Sequence, residues 1–238
     1  MMAAIGTKER KSISSHNVEL DSKMGGGLPL GTLALIEGSS SAGKSVLSQQ
    51  IMWGGVQDGY RVICLTSENT VKSLVSQMAS IDLDVLDYVL LGKMRIYPMA
   101  LSSVGRRAPQ ALLEVVGSLK DYDILVIDSF TAALSNADST DSAPILSFFE
   151  RCKEITADGK TIMLTLHNDV VDPDLVSTLR SLCDAHLVLR SEKDGQRLVK
   201  LLEVAKVRGA ASVTGAIVGF DVEPGWGMRI IPISKARG

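Results

Sequence analysis

Gly38-Ser39-Ser40-Ser41-Ala42-Gly43-Lys44-Ser45 carries the spacing G-x-x-x-x-G-K-S. That is the pattern of a loop that binds nucleotide phosphates. Two glycines let the backbone bend tightly and aim its N–H groups at one point. With the positive end of a following helix, those groups form a cradle for an anion. Lys44 is expected to reach the β- and γ-phosphates, and Ser45 to offer its hydroxyl to Mg²⁺. The flanks agree: Leu33-Ala34-Leu35-Ile36 reads as a buried strand, and Val46 to Trp53 has helical spacing. A glycine-rich turn that matches by chance is the rival reading, and these flanks argue against it.

Other side chains could complete the chemistry. Asp128 ends the apolar run Ile124-Leu125-Val126-Ile127. In open parallel sheets ligands sit beyond the carboxyl ends of strands, which places Asp128 to hold Mg²⁺ through water. Glu68 follows another apolar run, in Thr66-Ser67-Glu68-Asn69-Thr70. A carboxylate there could orient or deprotonate an attacking water, so Glu68 joins Lys44 as a catalytic candidate. A helix first-turn acid is its rival reading. His167 and Asn168 end Thr165-Leu166-His167-Asn168; such a tip could sense a γ-phosphate, or His167 could be structural. Lys206 and Arg208, two apart at a strand end, can point the same way. They could reach a γ-phosphate held by a neighbouring subunit, or be solvated edge cations.

Positioning these groups requires alternating strands and helices. Strands are expected at Arg61 to Thr66, Met94 to Tyr97 (stopped by Pro98), Ile124 to Ile127 and Thr161 to Leu166. Helices are expected at Thr70 to Ser80, capped by Asn69 or Thr70, and at Pro109 to Leu119, Ala143 to Ala157 and Asp172 to Leu182. The order predicts an α/β fold with a mostly parallel, helix-flanked sheet. His186 to Arg190, Arg197 to Val204, Gly219 to Val222 and Met228 to Ile233 read as a C-terminal antiparallel extension. Residues 1–15 are expected to be a mobile lead-in, and 16–238 one domain.

The chain has 238 residues, 45% hydrophobic and 22% charged, with a net charge of −2. That balance suits one large cytoplasmic domain and gives no sign of a polyanion binder. Cys64, Cys152 and Cys183 are scattered without metal-ligand spacing, so buried free thiols are expected. No apolar run is long enough to span a bilayer, and the N-terminal residues lack a signal-peptide core.

The opening Gly25-Gly26-Gly27-Leu28-Pro29-Leu30-Gly31, the phosphate loop, Thr66 to Thr70 and Lys206-Val207-Arg208-Gly209 together resemble the RecA-like P-loop ATPases of the KaiC type. Within that group the chain is most similar to the FlaH (ArlH) family, ATP-binding subunits of the archaellum, the archaeal flagellum. The Leu-Ile-Glu-Gly lead, the run Ser67 to Ser73 and the ending Ile231 to Ser234 carry this likeness, from about His16 to Arg237. The resemblance implies ATP and Mg²⁺ as ligands and a homo-oligomeric ring, a hexamer. It implies a place at the inner face of the cell membrane, docking on the motor ATPase FlaI within a membrane-anchored scaffold protein. KaiC-type chains carry two adjacent glutamates where this one has Glu68 and Asn69, which implies slow hydrolysis. The Lys-x-Arg pair is kept as Lys206 and Arg208, which implies action across subunits.

Three readings follow: a regulatory archaellum subunit, a KaiC-like signalling ATPase or autokinase, and a RadA-like recombination ATPase. The last is weakest. Asn168-Asp169-Val170-Val171-Asp172-Pro173-Asp174 carries three acids and no cation, and would repel a nucleic-acid backbone.

Overall fold

Long apolar runs in the sequence form the inner strands of a nine-stranded sheet, because a parallel sheet covered on both faces needs strands apolar on both sides. A computed structural model describes residues 11–134, 142–194, 197–211 and 215–231. Strands are β1 (Ser12–Ile13), β2 (Leu28–Pro29), β3 (Leu33–Gly38), β4 (Val62–Thr66), β5 (Met94–Pro98), β6 (Ile124–Asp128) and β7 (Thr161–His167). They continue as β8 (Ala185–Asp194), β9 (Arg197–Val207), β10 (Ile217–Glu223) and β11 (Gly227–Ile231). Helices are α1 (Val18–Lys23), α2 (Lys44–Gln57), α3 (Val71–Ser80), α4 (Leu86–Leu90), α5 (Leu101–Val104) and α6 (Ala108–Ser118). After them come α7 (Thr131–Leu134), α8 (Ala143–Ala157) and α9 (Pro173–Leu182).

The order across the large sheet is β11-β10-β9-β8-β3-β7-β6-β4-β5. Strands β5, β4, β6, β7, β3 and β8 run parallel, and β9, β10 and β11 are antiparallel additions. The antiparallel order therefore starts one strand later than the sequence suggests, because β8 pairs parallel with β3 before it pairs with β9. Alternate residues of β3 enter opposite cores: Ala34 and Ile36 pack with Leu47 and Ile51 of α2. Leu33 and Leu35 pack with Phe148 and Phe149 of α8 and Leu179 of α9. The chain thus leaves β3 over one face and β7 over the other. Their carboxyl ends open a crevice between them, the place where such sheets bind ligands.

Several local details differ from expectation. Pro98 is the last residue of β5, one beyond the expected Tyr97; β5 is a sheet edge, where a missing N–H costs no ladder bond. Ser12 and Ile13 pair with β2, and Ile13 and Ser15 are buried, so packed structure begins well before residue 16. Residues 1–10 of the expected lead-in lie outside the described residues, as do 232 and 233 of the last expected strand. Thr70 caps α3, and Ser73 reciprocates in a capping box. All three cysteines are free and buried.

Candidate functional site

The loop 39–43 joins the end of β3 to the start of α2. Gly43, the N-cap of α2, has φ 105°, a conformation that suits glycine, and provides no side-chain cap. The first turn of α2 also contains no acid, so its N–H groups remain open to an anion. Close packing explains both glycines of the motif. A Cβ on Gly38 would lie 2.3 Å from Leu189 O, and one on Gly43 would lie 2.8 Å from the Phe220 ring. Strands β8 and β10 therefore brace the loop from behind.

Lys44 is 4% exposed. Its Nζ donates to Gly38 O at 3.0 Å and Ser39 O at 2.7 Å, and lies 3.2 Å from His167 Nδ1. An ammonium only donates, so Nδ1 accepts and the ring proton sits on Nε2. That Nε2 faces Glu68 Oε1 at 3.1 Å and donates to it. The His167 main chain is fixed by its own N–H, which donates to Thr131 Oγ1 at 2.8 Å. Burial pulls the Lys44 ammonium below its usual pKa, opposed by Glu68, Asp128 and Asp169. Lys44, His167 and Glu68 thus form one chain of contacts at the carboxyl ends of β3, β7 and β4. Asn168 donates its main-chain N–H to Gly38 O at 3.4 Å.

Asp128 is 3% exposed at the end of β6, and its Oδ1 accepts from Thr165 Oγ1 at 2.6 Å. Burial pushes its carboxyl up, and Glu68 adds to this. Hydrogen bonds from Thr165 and Ser45, and the Lys44 charge, oppose them. Ser45, in the first turn of α2, thus lies near enough to Asp128 to favour its charged form. A hydroxyl and a carboxylate are hard oxygen donors that suit Mg²⁺, which takes few protein ligands when phosphates supply the others. Among the described residues no group of three or more His, Cys, Asp or Glu could hold a metal by itself. A cleft of about 910 Å³ opens in front, lined among others by Glu68, Met99, Ser129, Thr131, His167 and Asp169.

Lys206 and Arg208 lie elsewhere. Ala34 pairs with Ala185 and Ala185 with Val207, whereas Gly38 pairs with Leu189 and Leu189 with Leu202. The end of β9 therefore sits at the amino end of β3. The four steps from Ala34 to Gly38 rise about 13 Å at ~3.3 Å each. The structure does not bring these cations to the loop of their own chain.

Comparison with known proteins fits this geometry. Residues 15–235 match the KaiC ATPase family. The archaeal flagellar ATP-binding protein FlaH of Sulfolobus acidocaldarius is 33% identical over 233 residues, covering 94% of this chain and 99% of that protein. FlaH of Methanocaldococcus jannaschii is 27% identical over 95% of this chain and 97% of its own length. The crystal structure of the flagellar accessory protein FlaH from that organism superposes with a TM-score of 0.84, at 25% identity. It covers 94% of this chain and 99% of that one. The chain belongs to the KaiC family of ATPases, in its FlaH branch. The RecA-like core expected from the sequence is the fold observed.

Against the KaiC pattern, the substituted position Asn69 has a local task. Its Oδ1 accepts from Ser73 Oγ at 3.1 Å and Gln77 Nε2 at 2.9 Å, so the amide is turned onto α3. Glu68 alone of the pair meets the His167 contact. Two of the three acids after β7 also belong to a helix start: Asp172 caps α9, and Asp174 stands in its first turn. Only Asp169 influences Lys44. Phe220 and Thr131 were not singled out by sequence. The apolar run that holds Phe220 marks a strand, but not its contact with Gly43.

Proposed function

We propose that this FlaH-branch chain binds ATP with Mg²⁺ and serves as a slowly hydrolysing regulatory subunit of the archaellum motor, docking on its motor ATPase. The observation that carries the reading is the open amino end of α2 with Lys44 buried beside it, in a chain similar to FlaH proteins along nearly its whole length. In this reading the loop N–H groups and Lys44 hold the β- and γ-phosphates. Ser45 and Asp128 would hold Mg²⁺, which would supply positive charge to offset the negative charge of the phosphates. Glu68, held by the Nε2–H of His167, orients water toward the γ-phosphate. With Asn69 engaged on α3, no second acid shares that task, and turnover is slow.

Lys206 and Arg208 reach the γ-phosphate of a neighbouring copy in a homo-oligomeric ring, a hexamer. Their distance from the loop of their own chain supports that assignment. We place the ring in the cytoplasm at the inner face of the membrane, held there through partners including a membrane-anchored scaffold protein. Among the described residues no helix is long and apolar enough to cross a membrane. No nucleic-acid partner is proposed, because the segment 168–174 carries three acids and no cation and would repel a nucleic-acid backbone.

A pull-down from native archaeal membranes tests the role. The motor ATPase should be recovered with the chain in ATP and far less in ADP. Equal recovery in both, or none in either, contradicts the proposal.

A further inference from the structure

The polar groups of Lys206 and Arg208 are fastened to one short stretch of chain. Lys206 Nζ donates to Arg180 O at 2.9 Å. Arg208 donates its main-chain N–H to Asp184 O at 2.9 Å, and its Nη1 lies 3.3 Å from Asp184 Oδ1. Asp184 is tied to the start of β3: its N–H donates to Leu33 O at 2.8 Å, and its Oδ2 accepts from Leu33 N at 3.2 Å. Arg180 is tied to the end of β3. Its Nε donates to Glu37 Oε2 at 3.0 Å and its Nη2 to Glu37 Oε1 at 2.6 Å. Residues 180–184 thus grip β3 at both ends and hold both cations.

Glu37 is 1% exposed and immediately precedes Gly38 of the phosphate loop. A carboxylate so placed needs a partner, because burying an unpaired charge is costly. His186 Nε2 lies 3.2 Å from Oε1, but it makes no hydrogen bond there or elsewhere among the described residues. The aligned bonds come from Arg180, whose two-pronged contact fixes direction as well as charge. Arg180 also lies in the last turn of α9, where carbonyls lack helical partners and favour a cation. One of those carbonyls, its own, receives Lys206. The direction in which the Glu37 pair holds this turn therefore decides where the Lys206 ammonium rests.

We propose that Arg180 is a positioning residue: its ion pair with Glu37 sets the last turn of α9, and so presents Lys206 to the nucleotide held by an adjoining copy of this chain. The proposal rests on the reading that Lys206 and Arg208 act across a subunit boundary. Arg180 then serves the neighbour's site and not the loop of its own chain.

Mixing variants tests this. Arg180→Met should bind ATP within about twofold of the unaltered chain by calorimetry, yet lose most ATP-promoted assembly by light scattering. Arg180→Lys keeps the charge without the fork and should recover little. Lys44→Ala keeps its cations but lacks a working loop. A mixture of Lys44→Ala and Arg180→Met should therefore form ATP-dependent pairs, although each alone stays monomeric. A merely structural Arg180 gives no such complementation. If Arg180→Met fails to fold, the double variant Glu37→Gln/Arg180→Met removes both charges and should show the same loss and the same complementation. Normal assembly of the Arg180 variant, with Lys206→Ala defective, overturns the inference. Normal assembly of Lys206→Ala overturns the cross-subunit reading beneath it.

Discussion

Replacing His167 probes the free site most sharply. The three N–H donors of Lys44 have three acceptors in the free chain: Gly38 O, Ser39 O and His167 Nδ1. Phosphate oxygens must take over some of these donors when ATP binds. His167→Leu removes one acceptor from the free chain and nothing from the phosphate contacts, so it raises the energy of the free state alone. A hydrogen bond to a charged group contributes about 1.5–3 kcal/mol, and a partly solvated one less. The His167 side chain is 22% exposed, and water can replace much of its bond to Lys44. About 1 kcal/mol remains, which corresponds to roughly fivefold tighter ATP binding. His167→Gln presents a carbonyl toward Lys44 and an amide N–H toward Glu68 in the same order, and should behave like the unaltered chain. Calorimetric titration of the three proteins with ATP and with ADP measures this. Tenfold weaker ATP binding by His167→Leu would mean that His167 touches the nucleotide, and would refute the reasoning.

Other expectations follow from the same geometry. Glu68→Gln should cut residual ATP hydrolysis at least tenfold with ATP still bound; unaltered turnover in a phosphate-release assay would make Glu68 a solvated acid. The unaltered chain, assayed without partners, should turn over well below the ~10 per second of a median enzyme. Asp128→Asn should weaken ATP binding in Mg²⁺ more than in EDTA, and an equal loss in both contradicts a metal role. Gly43→Ala places a Cβ against Phe220 at positive φ, a strain of about 1–2 kcal/mol before the overlap is counted. It should weaken ATP binding tenfold or more while circular dichroism stays unchanged, and undiminished binding would show that the brace is unimportant. Burial pushes the Glu37 carboxyl up, but His186 and Arg180 prevail and hold it below its ordinary 4.5. Its pairing therefore stabilises the fold above that value, and the contribution is lost as pH falls through the lowered folded value. Arg180→Met should make stability fall less steeply in that acid range in urea titrations, and an unchanged slope rejects the pairing.

What sequence conveyed depended on how local the signal was. The phosphate loop is a contiguous pattern, and β3, β4, β6 and β7 are uninterrupted apolar runs, so their strand type and approximate place could be read directly. Asp128 was legible because it ends such a run. The short helices α1, α4, α5 and α7 were not, since four to six residues carry too little periodicity. The Glu37–Arg180 pair joins residues 143 apart. Both read in isolation as ordinary charges, and only the packing of α9 on β3 brings them together. Lys206 and Arg208 were legible as a pair, but their position at the far end of the sheet from their own loop required the register of β8 and β9.

The claim that this loop holds ATP is tested most directly by calorimetric titration of Mg²⁺–ATP into the unaltered chain and into Lys44→Ala. Lys44 is almost fully buried beside the loop, and losing its contact with phosphate costs about 1.5–3 kcal/mol, a ten- to hundredfold fall in affinity. The account predicts one site per chain and a loss of that size in the variant. Equal affinity in both proteins would contradict it.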